Sequence, residues 1–291
     1  MSKVGMVILN YNDCETTKEY LNTIKNYKSL NKIVVVDNNS TDNSFEELKT
    51  FNSSKIEIIK TDENKGYAYG NNIGIKALDS DIDYIIISNP DITVSDKTIQ
   101  RLKNDLDNNE EITLVAPVIN QLGEKIKGWR LPLIKDEILS NINGYHKKIE
   151  KRLRYPEEKY TGNLTKVEVV SGCFFMIRKD VLDLIGGFDE GTFLYYEENI
   201  IGQKLKIINK KTFVDNEAEI THNLSVSVDK SFNSIKKYKI LKNSQKYYFK
   251  YYLKSGVFAN ILRGGTYYIS LGIAYVICFF KNLRRKKKWK T

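Results

Sequence analysis

The stretch KIVVVDNNSTD, residues 32–42, decides the fold. Its apolar part, Ile33–Val36, is a run of β-branched residues without a polar interruption, which is typical of a strand covered on both faces. Asp37 closes the strand, and residues 40–42 are Ser, Thr and Asp, types that cap helix N-termini. A strand that ends in a polar turn and leads into a helix is one repeat of a parallel α/β sheet.

The same alternation extends in both directions from this repeat. Further strands are predicted over 4–10, 56–60, 84–88, 112–119 and 167–178, and helices over 13–26, 45–51, 66–78, 95–106, 180–185 and 197–208. This βαβα order predicts an α/β fold with a mostly parallel, doubly wound sheet. Residues 121–165 are less regular, and we interpret them as a hairpin around Gly123 followed by a mobile insertion. Short strands are expected over 212–222.

Polar groups follow four of the predicted strands. They are Asn10-Tyr11-Asn12, Asp37-Asn38-Asn39-Ser40, Asn64-Lys65-Gly66 and Asn89-Pro90-Asp91. Ligands of open α/β sheets bind beyond the carboxyl ends of the strands. A single aspartate after a strand is more often a turn former, but four such groups at one sheet edge favour a binding cleft.

Three glycines recur every four residues at Gly66, Gly70 and Gly74. This spacing is neither the dinucleotide-binding glycine pattern nor a Walker phosphate loop. It disfavours a Rossmann dehydrogenase and places the glycines along one helix face, where they permit close packing.

Taken together in chain order, the motifs resemble glycosyltransferase family 2, and within it the bacterial rhamnosyltransferase-like branch. The matching stretches are 7–12, 34–42, 64–74, 88–91, 171–174, 186–190 and 193–198, followed by His222. The resemblance implies a GT-A nucleotide-diphospho-sugar transferase fold, Rossmann-like, over residues 1–228. Residues 1–120 would form its nucleotide-binding half and residues 121–228 its acceptor-side half.

The resemblance also implies a nucleoside-diphosphate sugar donor and a divalent cation, Mn²⁺ or Mg²⁺, which neutralises the departing diphosphate. It assigns the cation to Asp91 and His222, although Ser88-Asn89-Pro90-Asp91 carries one carboxylate where the family's Asp-x-Asp motif has two. Asp37 matches the aspartate that reads a uracil or thymine ring, which favours UDP or dTDP. The nucleotide-binding residues are expected to be Leu9, Asn10, Tyr11, Asp37, Asn39, Asn64, Lys65, Gly66, Asn71 and Asn89.

The catalytic base is expected at the predicted helix that begins near residue 197. The family has Glu-Asp there and uses the aspartate as the base, so the role passes to Glu198 of Glu197-Glu198. A single base without a protein nucleophile implies inversion at the anomeric carbon. The alternative is that both glutamates are helix N-terminal charges favoured by the macrodipole. Acceptor contacts are expected from Trp129, Arg130, Gly172, Cys173 and Glu197; a tryptophan on a hairpin is equally often a core residue.

Charge is distributed unevenly along the 291 residues. The formal net charge is +10, yet residues 230–291 contain 16 Lys and Arg and no Asp or Glu, so the rest of the chain is mildly acidic. A basic tail on an acidic body indicates a polyanionic partner, either anionic lipid or nucleic acid.

The tail favours lipid. Residues 231–253 have a helical pattern, and an apolar stretch follows to Phe280, interrupted at 260 and 263–265; its clean run, 266–280, is shorter than the roughly 20 residues that span a bilayer. We therefore predict a helical, basic, membrane-associating region over 229–291, lying in the interface plane. The alternative is that 255–280 packs on the body or on a second subunit as a homodimer.

The mean hydropathy of -0.41 excludes a polytopic membrane protein. Cys14, Cys173 and Cys278 form no disulfide or zinc pattern, and no signal peptide is evident, so we expect a cytoplasmic protein on the inner face of the membrane. The predicted function is transfer of a sugar, hexosyl or rhamnosyl, from UDP or dTDP to a saccharide or polyprenyl-linked acceptor in cell-surface polysaccharide (capsule) assembly. The alternatives are a non-catalytic nucleotide-sugar-binding scaffold and a nucleic-acid-binding protein; we expect no nucleic-acid partner.

Overall fold

The computed structural model describes residues 1–142, 144–223 and 234–288, with side chains as far as Val276 in the last helix. The chain divides into two compact units. The sheet unit comprises Met1–Leu131 and Arg154–Ser231, and the helical unit comprises Pro132–Leu153 and Phe232–Thr291. In this division, residues 132–153 belong to the same unit as the C-terminal helices, whereas the sequence analysis expected them in the acceptor-side half.

The sheet unit contains ten strands and six of the ten α-helices in the described ranges. The strands are β1 (Val4–Asn10), β2 (Lys32–Asp37), β3 (Ile56–Lys60), β4 (Tyr84–Ser88), β5 (Ile92–Thr93), β6 (Ile112–Gln121), β7 (Glu124–Ile126), β8 (Leu164–Val167), β9 (Phe174–Arg178) and β10 (Lys211–His222). The helices are α1 (Cys14–Ile24), α2 (Ser44–Leu48), α3 (Tyr67–Ala77), α4 (Asp96–Asn108), α7 (Lys179–Leu184) and α8 (Glu197–Ile207). The helical unit contains α5 (Ile134–Leu139), α6 (His146–Leu153), α9 (Ser234–Tyr251) and α10 (Val257–Lys288).

One ten-stranded sheet has the order β3-β2-β1-β4-β9-β6-β10-β5, with β7 paired to β6 and β8 to β10. The first four strands are parallel, so their carboxyl ends meet at one edge. β9 runs antiparallel between β4 and β6, and β10 is parallel to β6. The predicted α/β, mostly parallel GT-A-like sheet is thus observed.

The core lies on both faces of this sheet because consecutive β-branched residues point to opposite sides. On one face, Val35 and Ile33 pack against α1 and α4 residues such as Leu21 and Leu102. On the other, Val34 and Val36 pack with α3 and α7 residues. The uninterrupted apolar run Ile33–Val36 is buried along its whole length.

Three predictions about elements were wrong. The single strand expected over 167–178 is two strands, β8 and β9, separated by an irregular segment that pairs Val169 with Trp129. The short strands expected over 212–222 form one strand, β10, with a register shift between Asp215 and Glu219. The insertion after the hairpin contains α5 and α6 rather than irregular chain. The hairpin around Gly123 is confirmed, with a positive φ at Leu122 and Gly123.

The helical unit has a polar interior between α5 and α9. The amide of Gln245 donates to Glu137 Oε2 at 2.7 Å and to Ser140 Oγ at 2.8 Å. Asp136 is buried and forms an ion pair with Arg152 of α6. Glycines 264 and 265 do not interrupt α10, which runs from Val257 to Lys288. Among the described residues, no helix combines the length and apolarity needed to cross a bilayer.

Two neighbouring carboxyls, Asp105 of α4 and Asp215 of β10, lie in the sheet unit. Asp215 is fully buried, and Arg101 forms ion pairs with it and with Glu217, the latter at 2.7 Å. Burial, together with the neighbouring Asp215 carboxylate, raises the pKa of Asp105 to about 7, against the opposing effect of Arg101. The Asp105 carboxyl is therefore protonated at pH 5, and at pH 8 its negative charge is repelled by Asp215.

Asp105→Asn is expected to stabilise the protein more at pH 8 than at pH 5. A carboxyl whose pKa rises on folding loses stability as the pH increases from its unfolded value, near 3.8, through its folded value. The neutral amide removes that loss, with a gain at pH 8 of about 1 kcal/mol after screening, or roughly 3 °C in Tm. Thermal melts at both pH values test this, with Glu110→Gln, an exposed carboxylate nearby, as control. A pH-independent gain contradicts the raised pKa of Asp105.

Candidate active site

Asp91 and His222 are brought together by the short strand β5. It pairs antiparallel with the end of β10 so that Ile92 lies opposite His222. His222 Nε2 lies 3.2 Å from Asp91 Oδ2, and the Nδ1 atom lies 2.8 Å from Gln121 Oε1. Because an amide oxygen only accepts, Nδ1 carries a hydrogen and Nε2 faces the carboxylate. The pair lies where β4 ends, at the carboxyl edge of the sheet.

The charge environment of His222 is anionic. Burial lowers its pKa, but the hydrogen bond with Asp91 and the proximity of Cys173 outweigh burial and raise the pKa to about 10. An imidazole beside a carboxylate at this depth holds positive charge in the absence of another cation. A carboxylate oxygen and an imidazole nitrogen are both ligands of Mn²⁺, so the donor set fits the predicted cation.

A second group of possible ligands does not fit a cation. The ligand atoms of Cys14, Glu15 and Glu47 lie close together. The Lys18 ammonium already occupies that position, at 2.8 Å from Glu15 and 3.0 Å from Glu47. Burial and the Glu47 charge raise the pKa of the Cys14 thiol to about 11, which opposes thiolate formation.

The loop after β2 is tied to the loop after β1. Both oxygens of the fully buried Asp37 are engaged: Ser40 donates its backbone N–H and its hydroxyl, at 2.9 and 2.6 Å, and the Asn10 amide donates at 2.9 Å. Asn39 has a positive φ of 58° in the same turn. In this structure Asp37 holds the turn in shape, and its base-reading role stays a prediction.

Asn38, which was not among the predicted residues, connects this turn with the loop before α3. Its amide donates to Asn64 Oδ1 and to the Gly66 carbonyl, both at 3.1 Å. Gly66 has φ 106°, and a Cβ there would lie 2.1 Å from the Phe193 carbonyl oxygen. That carbonyl accepts from Tyr67 N–H at 2.8 Å. Only glycine at position 66 therefore allows the loop before α8 to approach closely enough to accept this hydrogen bond from the start of α3.

The other predicted nucleotide residues occupy different environments. Lys65 is exposed, pairs with Glu63 at 2.5 Å and lies over the Tyr69 ring. Asn71 is buried, and its amide donates to the Tyr67 carbonyl at 2.9 Å. Leu9 and Tyr11 are partly buried at the end of β1. Their contacts with a nucleotide stay predictions.

Tyr67 links the Asp91 loop to the predicted base. Its hydroxyl lies 2.9 Å from the Gly172 carbonyl and 3.3 Å from Asn89 Oδ1. A Cβ added to Gly172 would lie 3.8 Å from Glu198 Oε2. The Asn89 N–H donates to the Cys173 carbonyl at 2.8 Å, and Cys173 neighbours His222. Segment 171–173 therefore connects Asp91, His222 and Glu198 at one edge of the sheet.

The two glutamates open α8 after a strained turn. Tyr195 and Tyr196 both have positive φ, 74° and 75°, which is uncommon for residues with a side chain. Burial and the Glu198 charge raise the pKa of Glu197 to about 8, and burial raises the pKa of Glu198. Two adjacent carboxyls resist double ionisation, so the pair retains one proton near neutral pH. Such a pair can exchange a proton with a hydroxyl.

Trp129 lies beside α8, whereas Arg130 is turned towards other groups. The indole N–H of Trp129 donates to Asn199 Oδ1 at 3.1 Å, one residue after Glu198. The Arg130 guanidinium lies 4.3 Å from the centre of the Tyr155 ring and donates to the Arg154 carbonyl at 2.8 Å. The acceptor roles of Trp129 and Arg130 stay predictions.

Sequence reasoning missed three residues of this site. Gln121 orients His222, Tyr67 joins three loops, and Asn38 holds two of them together. Tyr67 and Asn38 lay inside the quoted motifs, so their position after a strand or at a helix start was an available signal. Gln121 ends an apolar strand, and nothing in its local sequence indicates a partner 101 positions away.

Sequence comparison places much of the sheet unit in one group of proteins. The sequence model for glycosyl transferase family 2 matches residues 6–186. A curated relative, the low-salt glycan biosynthesis hexosyltransferase Agl10 of Haloferax volcanii, is 26% identical over 202 residues. The match covers 68% of this chain and 60% of the relative, so the chain spans less than two thirds of that protein.

Solved structures share the fold at low identity. The mannosyltransferase PcManGT of Pyrobaculum calidifontis, in complex with GDP-Man and Mn²⁺, superposes with a TM-score of 0.59 at 12% identity, covering 99% of this chain and 82% of that one. GalNAc-T7 with UDP, GalNAc and Mn²⁺ gives 0.62 at 16%, covering 95% and 57%. TarS (residues 1–349) of S. aureus gives 0.55 at 13%, covering 87% and 74%.

Proposed function

The chain belongs to glycosyl transferase family 2, and from this membership we propose that it is an inverting, metal-dependent transferase of a hexosyl or rhamnosyl group from a UDP- or dTDP-sugar. The observation that carries the proposal is the contact of Asp91 with His222, which segment 171–173 connects to Glu198. A cation-binding pair connected to a base suits transfer from a diphosphate, because the cation neutralises the departing group and the base accepts the acceptor's proton.

The chain's residues divide the chemistry between them. Asp91 and His222 would hold the divalent cation, which would supply Lewis-acid stabilisation of the diphosphate. Gln121 fixes the imidazole so that Nε2 faces this position. The loops of Asn10, Asn38 and Asn64 frame the nucleoside. Glu198 accepts the proton of the acceptor hydroxyl. At the same time, the hydroxyl oxygen attacks the anomeric carbon from the face opposite the departing diphosphate.

Glu197 is buried, and the Glu197–Glu198 pair retains one proton near neutral pH. Burial raises the pKa of both carboxyls, and the Glu198 charge adds to the shift of Glu197, so the proton belongs to the pair. The transfer we propose proceeds from the form in which Glu197 holds this proton and Glu198 carries the single negative charge. We assign acceptor contacts to Gly172, which lies beside Glu198, to Cys173, and to Trp129, whose indole N–H donates to Asn199 of α8.

The acceptor we propose is a saccharide or polyprenyl-linked saccharide in the assembly of a cell-surface polysaccharide. The motive is the basic, apolar tail, with 16 basic and no acidic residues over 230–291. Such a tail favours a peripheral location on an anionic inner membrane face, where a lipid-linked acceptor would be within reach. Agl10's name, a hexosyltransferase of glycan biosynthesis, supports the same class. A homodimer stays an alternative use of the tail.

A thermal-shift panel with UDP, dTDP and GDP, each with and without Mn²⁺, tests the donor. The selected nucleotide should raise Tm only with metal. At a hundredfold excess over Kd, binding stabilises the folded protein by about 2.7 kcal/mol. Transfer or hydrolysis of the matching sugar donors then measures turnover. Metal-dependent binding without turnover supports a non-catalytic nucleotide-sugar-binding protein; no binding of any nucleotide contradicts both functions.

A further inference from the structure

Helix α10 has its polar side inward and its apolar side outward. Its exposed side chains include Phe258, Ile261 and Ile269, at 74%, 65% and 68% exposure, although α10 packs within the helical unit. In contrast, Arg263 is 7% exposed. A helix that packs on a water-soluble body normally buries its apolar stripe, so this polarity is reversed.

The exposed residues form one continuous face. At 3.6 residues per turn they occupy an arc of about 160° on the part of α10 whose side chains are described. We call this arc the apolar face; its large side chains are Val257, Phe258, Ile261, Leu262, Tyr268, Ile269, Ile273, Tyr275 and Val276. Gly265 and Gly272 lie between them and keep the face smooth. A continuous apolar surface made of nine large exposed side chains marks a binding site.

Specific hydrogen bonds hold the polar side of α10 inward. Asn141, just after α5, donates to Thr266 Oγ1 at 3.2 Å, and the Tyr238 hydroxyl lies 2.6 Å from Ser270 Oγ. The Arg263 guanidinium lies over the Phe249 ring. The orientation of α10 within its unit therefore depends on several contacts, and rotating it to bury the apolar face would break them.

Positive charge borders the apolar face. Helix α9 exposes four lysines along one stripe, Lys236, Lys239, Lys246 and Lys250. The Lys239 ammonium lies 5.6 Å from the centre of the Tyr275 ring, so the stripe meets the face at that point. The sequence continues with seven basic residues in 281–290. Tyrosine and lysine at the margin of an apolar surface are typical of helices in a membrane interface.

We propose that the helical unit docks on an anionic lipid bilayer through the apolar face of α10, with the lysines of α9 at the lipid phosphates. This deepens the proposed peripheral location, on which it rests, by naming the surface and its orientation. A second copy of the chain is the less suitable occupant. Two such surfaces would oppose segments that each carry 16 basic and no acidic residues. Anionic lipid supplies the opposite charge, and each basic residue near the lipid surface strengthens binding.

Vesicle sedimentation of the full chain tests this surface. Wild-type protein should bind vesicles of phosphatidylcholine with phosphatidylglycerol and bind pure phosphatidylcholine weakly, and high salt should release it. Ile261→Ser combined with Ile269→Ser should lower the partition coefficient about tenfold or more, because two aliphatic side chains leave the acyl boundary. Leu184→Ser combined with Ile207→Ser, equally exposed residues of the sheet unit, should bind as wild type.

Three results would overturn the proposal. They are no binding of wild-type protein to either vesicle, unchanged binding of the Ile261/Ile269 variant with a retained Tm, and a dimer that the same variant dissociates while no vesicle binding occurs. Nucleotide thermal shifts on the same samples separate this outcome from the proposed reaction. Vesicle binding without nucleotide binding would reject the transferase and keep the surface, and the reverse result would reject the surface alone.

Discussion

Glu198→Gln should lower kcat by a factor of about 10²–10⁴ while leaving nucleotide affinity unchanged. The amide keeps the size of the side chain and its place beside Gly172 but cannot accept the proton of the acceptor hydroxyl. Proton removal occurs in the transition state and not in donor binding, so the loss belongs to kcat. Steady-state transfer assays with the donor selected by thermal shift, together with nucleotide titration, measure the two quantities separately.

The adjacent glutamate provides an internal comparison. Glu197→Gln mimics the protonated form that its raised pKa favours at pH 7, so we expect a loss of less than about tenfold at that pH. Glu46→Gln, an exposed carboxylate on α2, should be silent and controls for the change of charge. If Glu197→Gln abolishes turnover and Glu198→Gln does not, the base is Glu197, and the assignment carried over from the family's Glu-Asp pair is wrong.

Asp91→Asn and His222→Ala should each abolish the dependence of nucleotide binding on Mn²⁺ and lower kcat/KM by a factor of about 10²–10³. Each substitution removes one of the two candidate ligands, which lie 3.2 Å apart. The loss of a cation that neutralises the diphosphate weakens both the ground state and the transition state, so affinity and turnover fall together. Calorimetric titration of nucleotide with and without Mn²⁺ gives a readout independent of activity.

Asp42→Asn is a matched control, since Asp42 is exposed beside the Asp37 turn and carries the same charge. It should retain the metal-dependent shift. Retained metal dependence in both Asp91→Asn and His222→Ala would show that the cation binds elsewhere. In that case Asp91 and His222 form an ion pair whose role is to join β5 to β10.

The positions of most strands along the chain could be predicted from local patterns. β2 and β4 are uninterrupted apolar runs, and such runs are stable only between two helical layers. The same patterns placed Asn10, Asp37 and Asp91 after strands and so at one edge of a parallel sheet. The strand pairing of the sheet agrees with this, since β1, β2, β3 and β4 run in the same direction.

Local pattern failed where long-range pairing decides the conformation. The segment 168–173 was predicted as part of one strand, but Val169 forms an isolated bridge with Trp129, and residues 172–173 form a turn before β9. β5 has only two residues and no periodicity, yet its pairing with β10 brings Asp91 to His222. The residues that complete the site, Gln121 among them, are fixed by contacts across more than 100 positions.

The amino-acid sequence by itself determined the α/β class, the edge of the sheet that carries the polar residues, and the existence of a basic, apolar tail. These follow from hydrophobic periodicity and residue type, which act over a few neighbouring residues. Only the tertiary structure decided that His222 contacts Asp91, that residues 132–153 join the C-terminal helices, and that α10 faces outward with its apolar side. The physical reason is that helical periodicity defines an apolar face but not its direction. The direction depends on which polar groups the other helices present, here Asn141 and Tyr238.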